Sequence, residues 1–201
     1  MNKPWWRLDY ATRYRGLIFD CDGTLTDSMP LHYIAWRDTM ASHGITFTED
    51  RFYGMGGMPT EKIIAVLSDE QNVRVDSNVA APEKENAFEK LLDRVTARND
   101  VRHVAERHHG RLPMSVASGG LRSCVDRQLL LIGVLDWFPV IVTSEDTDRH
   151  KPEPDVFLLA AKKMNVPPEQ CLVFEDSPLG LEAARSAKMD CIDVRDGTLH
   201  Q

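Results

Sequence analysis

The sequence predicts an α/β fold, a parallel-sheet core with an all-helical cap inserted after the first strand. Three observations carry this. Short apolar runs recur along the chain, and each ends in polar residues. The intervals between most of them carry a helical hydrophobic period. One long interval, from about Met29 to Asn99, carries helical periods only. Runs apolar on both faces suit parallel strands buried between helix layers, and strand alternating with helix is the pattern of a parallel α/β sheet.

In chain order, Gly16–Phe19 is the first expected strand and runs into Asp20. Leu31, Ile34 and Ala35 then begin a helix that closes near Gly44. Ile63, Ile64 and Leu67 belong to a second helix, and Phe88, Leu91, Leu92 and Val95 to a third. Pro113–Ala117 is a strand running into Ser118. Leu121, Cys124, Val125 and Ile132 share one helix face, with Gly133 as its stop signal. Val140–Val142 runs into Thr143, Ser144, Glu145 and Asp146, and His150-Lys151-Pro152 is expected to begin the next helix, whose apolar face is Phe157, Ala160, Ala161 and Met164. Cys171–Phe174 runs into Glu175 and Asp176. Ser177-Pro178 follows as a helix start, a capping hydroxyl and then proline at the first helical position, for a helix carrying Leu181, Ala184 and Ala187. Asp190–Val194 is the last strand. On this reading 1–28 and 100–201 form the core and 29–99 the cap.

Composition narrows the function classes. The chain has 201 residues, 42% hydrophobic and 27% charged, which suffices for a substantial core. Its formal net charge is −7, and no Lys/Arg stripe of the kind that grips nucleic acid stands out. No apolar stretch approaches the roughly 20 residues of a membrane span. Residues 1–15, with Trp5 and Trp6, have no long apolar core of a signal peptide; the two tryptophans are expected to pack an arm onto the core. The four cysteines, Cys21, Cys124, Cys171 and Cys191, are far apart and form no CxxC pair. Cys124 and Cys171 read as buried reduced thiols, and a cytoplasmic location follows as the default.

Ligands of open α/β sheets bind beyond the carboxyl ends of the strands. Those ends carry Asp20 and Asp22, Ser118, Glu145 and Asp146, and Glu175 and Asp176. So many carboxylates in one cleft repel each other, and a hard divalent cation such as Mg²⁺ resolves the conflict. Asp20 and Asp22, two apart, fall on one face of a regular strand. One can attack as a nucleophile while the other handles protons. Ser118 and Lys151 supply a hydroxyl donor and a cation for a phosphate.

These residues also carry a resemblance. Asp20-Cys21-Asp22-Gly23-Thr24 after Gly16-Leu17-Ile18-Phe19 resembles the first motif of the haloacid dehalogenase superfamily. Ser118 resembles the second, Lys151 in His-Lys-Pro-Glu-Pro-Asp the third, and Glu175-Asp176-Ser177 the fourth. The helical insert resembles the cap of the β-phosphoglucomutase-like branch. The resemblance implies a Rossmann-like core and an Mg²⁺-dependent phosphomonoesterase acting through an aspartyl-phosphate. Asp20 would be the nucleophile and Asp22 the acid/base. Asp20, the Asp22 carbonyl, Glu175 and Asp176 would hold the metal; Ser118, the Gly119 amide and Lys151 would bind phosphate. It also implies a monomer.

The cap is expected to choose the substrate. His32 stands where mutases of this branch carry a histidine tied to cap closure and proton control, and Gly57 lies in a loop resembling their specificity loop. Thr60 stands where those mutases carry an arginine that holds a distal phosphate. Loss of that cation points to a small sugar-phosphate phosphatase, resembling those acting on fructose 1-phosphate, with a β-phosphoglucomutase-type isomerase as the alternative and a non-catalytic phosphosugar-binding protein third. Trp36 reads as cap core. Asp146 is expected near Lys151 or metal-bound water, and His108-His109 reads as a solvated helix end. Hinges are expected near Asp27-Ser28 and Asn99–Val101.

Overall fold

The computed structural model describes residues 4–201, so Met1–Lys3 at the head of the expected core segment lie outside the described residues. Six strands form one sheet in the order β3-β2-β1-β4-β5-β6. They are β1 (Gly16–Phe19), β2 (Met114–Ala117), β3 (Val140–Val142), β4 (Cys171–Glu175), β5 (Asp190–Asp193) and β6 (Thr198–His200). The first five pair in parallel, and β6 adds antiparallel to β5. β6 is exposed along its length and has no apolar run to announce it.

The helices are α1 (Met29–Ser42), α2 (Glu49–Gly54), α3 (Thr60–Gln71), α4 (Ser77–Glu89), α5 (Asn99–His108), α6 (Arg122–Leu131), α7 (Asp155–Met164) and α8 (Pro178–Ser186). Two apolar layers cover the sheet. On one face Phe19, Phe174, Val101, Val104, Val125 and Leu129 join Tyr10 and Tyr14. On the other, Ile18 and Val173 pack against Phe157, Ala160 and Ala161 of α7 and Ala183 and Ala184 of α8. Residues 29–94 hold only helices and a 3-10 turn, packed on cores of their own: Trp36, Phe47, Phe52, Ile64 and Leu67 in one, Leu31, Ala35, Phe88 and Leu92 in the other.

The two chain segments joining these helices to the sheet run side by side. Thr26 forms a β-bridge with Ala97, the Asp27 N–H donates to Thr96, and the Arg98 N–H donates to Leu25. The second crossing is therefore at Thr96–Arg98; Asn99–Val101, expected to hinge, is the first turn of α5. Arg98 ties the crossing down, donating to the Gly23 carbonyl at 2.9 Å and to the Val194 carbonyl at 2.7 Å.

Other expectations are corrected. The helix carrying Phe88 ends at Glu89, and Leu92–Arg94 form a separate 3-10 turn. The helix after β3 starts at Asp155, and His150-Lys151-Pro152 lies in the loop before it, which frees Lys151 to reach across the sheet edge. His108 is fully buried: Nδ1 donates to the Val104 carbonyl at 2.8 Å and Nε2 accepts the Tyr10 N–H at 3.0 Å. Its partner comes from the N-terminal arm, 98 residues away, which no local pattern reveals. In that arm Tyr10 meets Phe174 edge-on, and Trp5 packs partly buried on the same layer, so close to Gly197 that a Cβ there would lie 2.0 Å from the indole. All four cysteines are free, and Cys124 is only half-buried.

Candidate active site

β1 ends at Phe19, and Asp20 follows it into the cleft, its N–H donated to the Phe174 carbonyl at 3.0 Å. The chain then turns. The expectation that Asp20 and Asp22 share a strand face is corrected, because the strand stops before both and Asp22 lies in a turn whose Gly23 has φ +77°. That turn fits only glycine for a second reason: a Cβ on Gly23 would sit 2.1 Å from Asp176 Oδ2. The local backbone thus lets the first and fourth motif loops close on each other.

Lys151 binds both carboxylate loops. Its Nζ donates to Asp20 Oδ1 at 2.8 Å and to Glu175 Oε2 at 2.6 Å, over the Phe157 ring. All three groups are nearly excluded from water. Burial opposes the ammonium charge, but Asp20 and Glu175 outweigh it and hold Lys151 above its ordinary range. Glu175 Oε1 accepts from the Asp176 and Ser177 N–H groups and the Ser177 hydroxyl. Gly180 leaves room for that carboxylate, since a Cβ there would lie 2.0 Å from its carboxyl carbon. Burial and the Glu175 charge push Asp20 up to about 7, and burial with the charges of Glu175 and Asp20 pushes Asp176 well up.

The Asp22 carboxylate turns away from this cluster. Its Oδ1 takes three donors: Ser28 Oγ at 2.7 Å, Gln128 Nε2 at 2.9 Å and His32 Nε2 at 3.0 Å. Burial opposes its ionisation, but His32, Ser28 and Gln128 hold it well below the carboxylate range. His32 lies on α1, stacked on Phe88 at 3.6 Å. Its tautomer follows from its partners. Lys84 Nζ, 3.1 Å from Nδ1, can only donate, so Nδ1 carries the lone pair and Nε2–H donates to Asp22. Burial, reinforced by the Lys84 cation, lowers the His32 pKa. Lys84 is itself buried, against Trp36, Phe88 and Glu85.

Ser118 follows β2, which pairs with β1, and its hydroxyl accepts the Gly120 N–H at 3.0 Å. Gly119 between them is exposed. Gly57, at φ +82°, abuts the fourth motif: a Cβ there would come within 3.1 Å of Leu179 and 3.2 Å of Ser177. Thr60 is the first residue of α3, half-buried, three residues further on. Trp36 is buried in the helical core of 29–89. Asp146 is not on Lys151; it closes a capping box with Thr143 and pairs with Arg122 at 2.7 Å. Lys84 and Gln128 escaped the sequence reading because each is a polar residue on an otherwise ordinary helix, and only the tertiary fold gives it a partner.

A metal would fit the acidic end. One carboxylate oxygen from each of Asp20, Glu175 and Asp176 lies within 4.8 Å of the others, the one such cluster among the described residues. Oxygen-only donors suit a hard cation, and the missing Cβ at Gly23 keeps Asp176 in reach. The Asp22 side chain has no part in the cluster.

With this geometry in place, comparison with known proteins decides the family. The description of haloacid dehalogenase-like hydrolases matches residues 14–188. The chain belongs to the haloacid dehalogenase-like hydrolases. It is 37% identical over 183 residues to fructose-1-phosphate phosphatase YqaB of Escherichia coli, covering 91% of this chain and 97% of that one. It is 30% identical to a phosphorylated carbohydrates phosphatase of Thermotoga maritima, covering 88% and 82%. The structure of a β-phosphoglucomutase from Clostridium difficile superposes with a TM-score of 0.78 at 26% identity over 89% of this chain and 83% of that one. The Rossmann-like core of these hydrolases is the sheet described above. Among the described residues no helix is long and apolar enough to cross a membrane.

Proposed function

We propose that this hydrolase is an Mg²⁺-dependent phosphatase of a small sugar phosphate, working through an aspartyl-phosphate on Asp20. The observation that carries the reading is the Lys151 bridge: one buried ammonium donates to both the nucleophile and the metal-side acid, a cation beside the carboxylate that would meet a phosphate dianion. Asp20, Glu175 and Asp176, with the Asp22 carbonyl, would hold Mg²⁺. When bound, the ion draws charge from the phosphate oxygens and from the clustered acids.

Asp20 attacks phosphorus in line as the ester oxygen leaves. Ser118, the Gly119 N–H and Lys151 hold the phosphate oxygens, and Lys151 offsets the repulsion between carboxylate and dianion. Asp22, ionised in the structure, takes up a proton as the phosphate dianion adds negative charge beside it, gives that proton to the leaving alkoxide, and then takes one from the attacking water. Because three donors occupy Oδ1, Oδ2 is the atom that carries this proton. It faces the loop after β2, where a Cβ on Gly120 would lie 3.4 Å away.

Segment 29–99 acts as the cap. It presents Gly57 to the fourth motif and His32 to Asp22, and it closes to exclude water. Thr60 offers no cation for a second phosphate, which supports hydrolysis over the isomerase alternative. Small-molecule substrates, a monomer and a cytoplasmic location complete the reading. The test is a panel of hexose phosphates with Mg²⁺, scored for free phosphate and isomerised product together. Asp20→Asn should abolish turnover. Retained turnover in that variant, or isomerisation with little phosphate release in the wild type, overturns the reading.

A further inference from the structure

We infer that Gln128 is a positioning residue that holds the Asp22 carboxylate from the core side, independently of the cap. This rests on the role given to Asp22 above. The donors on Asp22 Oδ1 come from two bodies. Ser28 is the N-cap residue of α1, at the expected hinge, and His32 lies on α1 and is backed by Lys84 of α4, in the helical segment. Gln128 lies on α6, which packs on the sheet through Val125 and Leu129. When the cap swings away, His32 moves with it, Ser28 sits at the pivot, and Gln128 stays.

The amide is built for this contact. Gln128 is 1% exposed, at a helix position where an apolar side chain would complete the layer formed by its neighbours. A buried amide is costly unless both ends are bonded, and both are. Nε2 donates to Asp22 Oδ1 at 2.9 Å, and Oε1 accepts from the Thr26 hydroxyl at 2.8 Å. The orientation is fixed by those partners: a carboxylate oxygen only accepts, so the nitrogen must face Asp22. Thr26 is the residue bridged to Ala97 where the cap joins the core. One side chain therefore pins the proton-transferring carboxylate to the fixed end of the hinge. With Oδ1 held, Oδ2 stays directed at the phosphate loop before the cap arrives, so closure need not reorient it.

Leaving-group chemistry separates this role from simple packing. In phosphoryl transfer to Asp20 the P–O(ester) bond breaks as the Asp20 O–P bond forms, and the Asp22 proton goes to the departing alkoxide. A sugar alkoxide needs that proton; p-nitrophenolate leaves without it. We expect Gln128→Met, which keeps the volume and loses the donor, to lower kcat/KM for a hexose phosphate by about tenfold or more, a fraction of what general acid catalysis contributes. For p-nitrophenyl phosphate the loss in kcat/KM should stay under about threefold, since transfer of the phosphoryl group to Asp20 with a phenolate leaving needs no proton from Asp22. Gln128→Glu keeps the Thr26 contact but sets a carboxylate against Asp22, and should be worse on the hexose phosphate. Thr26→Val, which frees the amide, should give a smaller loss with the same substrate bias.

Equal losses on both substrates in Gln128→Met, or none, overturn the inference while leaving the nucleophile reading intact. A crystal structure of Gln128→Met decides it independently of turnover. With the cap open and His32 withdrawn, the Asp22 side chain should leave the rotamer seen in the wild type, and an unchanged Asp22 in that state overturns the inference. A wild type inactive on both substrates defeats the proposed function, and that structure still decides the role of Gln128.

Discussion

Replacing Lys151 by Met, with EDTA present to keep divalent cations out, isolates the electrostatic debt of the site. Lys151 Nζ lies 2.8 Å from Asp20 and 2.6 Å from Glu175. At an effective dielectric of about 20 each contact is worth about 6 kcal/mol of attraction, and desolvating three ions cancels most of that sum. Removing one partner of a buried ion pair costs about 3–5 kcal/mol, because the charge left behind keeps its desolvation penalty. Asp20 escapes part of this by taking up a proton, its carboxyl standing already at about 7. Glu175 is 1% exposed, and Lys151 is the donor on its Oε2, so that oxygen is left buried without its partner. The low end, about 3 kcal/mol, is therefore expected, and for a chain of this size that lowers Tm by roughly 6–12 °C. Thermal unfolding of the single variants and of Lys151→Met with Asp20→Asn completes a double-mutant cycle. Adding Asp20→Asn should recover more than about 1 kcal/mol of the Lys151→Met loss, since one of the stranded carboxylates is gone. A Tm within 2 °C of wild type for Lys151→Met, or strict additivity in the cycle, refutes the reasoning (the 2 °C margin is about the scatter of half a kcal/mol).

Gly180→Ala places a Cβ 2.0 Å from the Glu175 carboxyl carbon, so Glu175 must move; Mg²⁺ titrated into the variant, followed by calorimetry, should bind at least about tenfold more weakly than to wild type. In wild type, Mg²⁺ at 100 times its Kd should add about 2.7 kcal/mol of stability, seen as a Tm rise that EDTA reverses; no rise would remove the metal site. Ile64→Ala, in the buried core of the helical segment, should cost about 2–4 kcal/mol by urea denaturation. Burial holds the Tyr10 phenol up to about 12 in the fold, whereas unfolded tyrosine ionises near 10. Its contribution is therefore whole below pH 10 and is lost as pH rises from about 10 to 12, so Tyr10→Phe should flatten the alkaline fall in stability measured by urea midpoints across that range.

What could be read from the residues was what the chain encodes locally. β1, β2 and β4 are buried on both faces, and their mainly apolar runs, broken only by Ser115 in β2 and by Glu175 at the end of β4, show this directly. Asp20, Ser118 and Glu175 stand at the ends of those runs, so the sheet alone brings them together. The short helix α2 and the strand β6 have too little apolar patterning to register. His108, Lys84 and Gln128 were opaque for another reason. Each is a polar side chain that fits a solvated helix face until remote segments bury it: the N-terminal arm for His108, α1 for Lys84, the Asp22 turn for Gln128. Partners separated by 52 to 106 residues leave no period in the sequence.

The paired linkers have a consequence for how such a molecule can change over time. Because Thr26 and Ala97 are bridged, the chain leaves the sheet and re-enters it at nearly one point. To the core, the 70 residues between them amount to a closed excursion with almost no span, and the closure entropy of such an excursion grows only slowly with its length. The helices can lengthen or shorten without the sheet having to readjust, provided α1 still carries His32 to Asp22. On the function proposed above, substrate choice and phosphate chemistry sit on separate stretches of one polypeptide, with Gly57 against the fourth motif and His32 on Asp22 as meeting points that any replacement would have to reproduce.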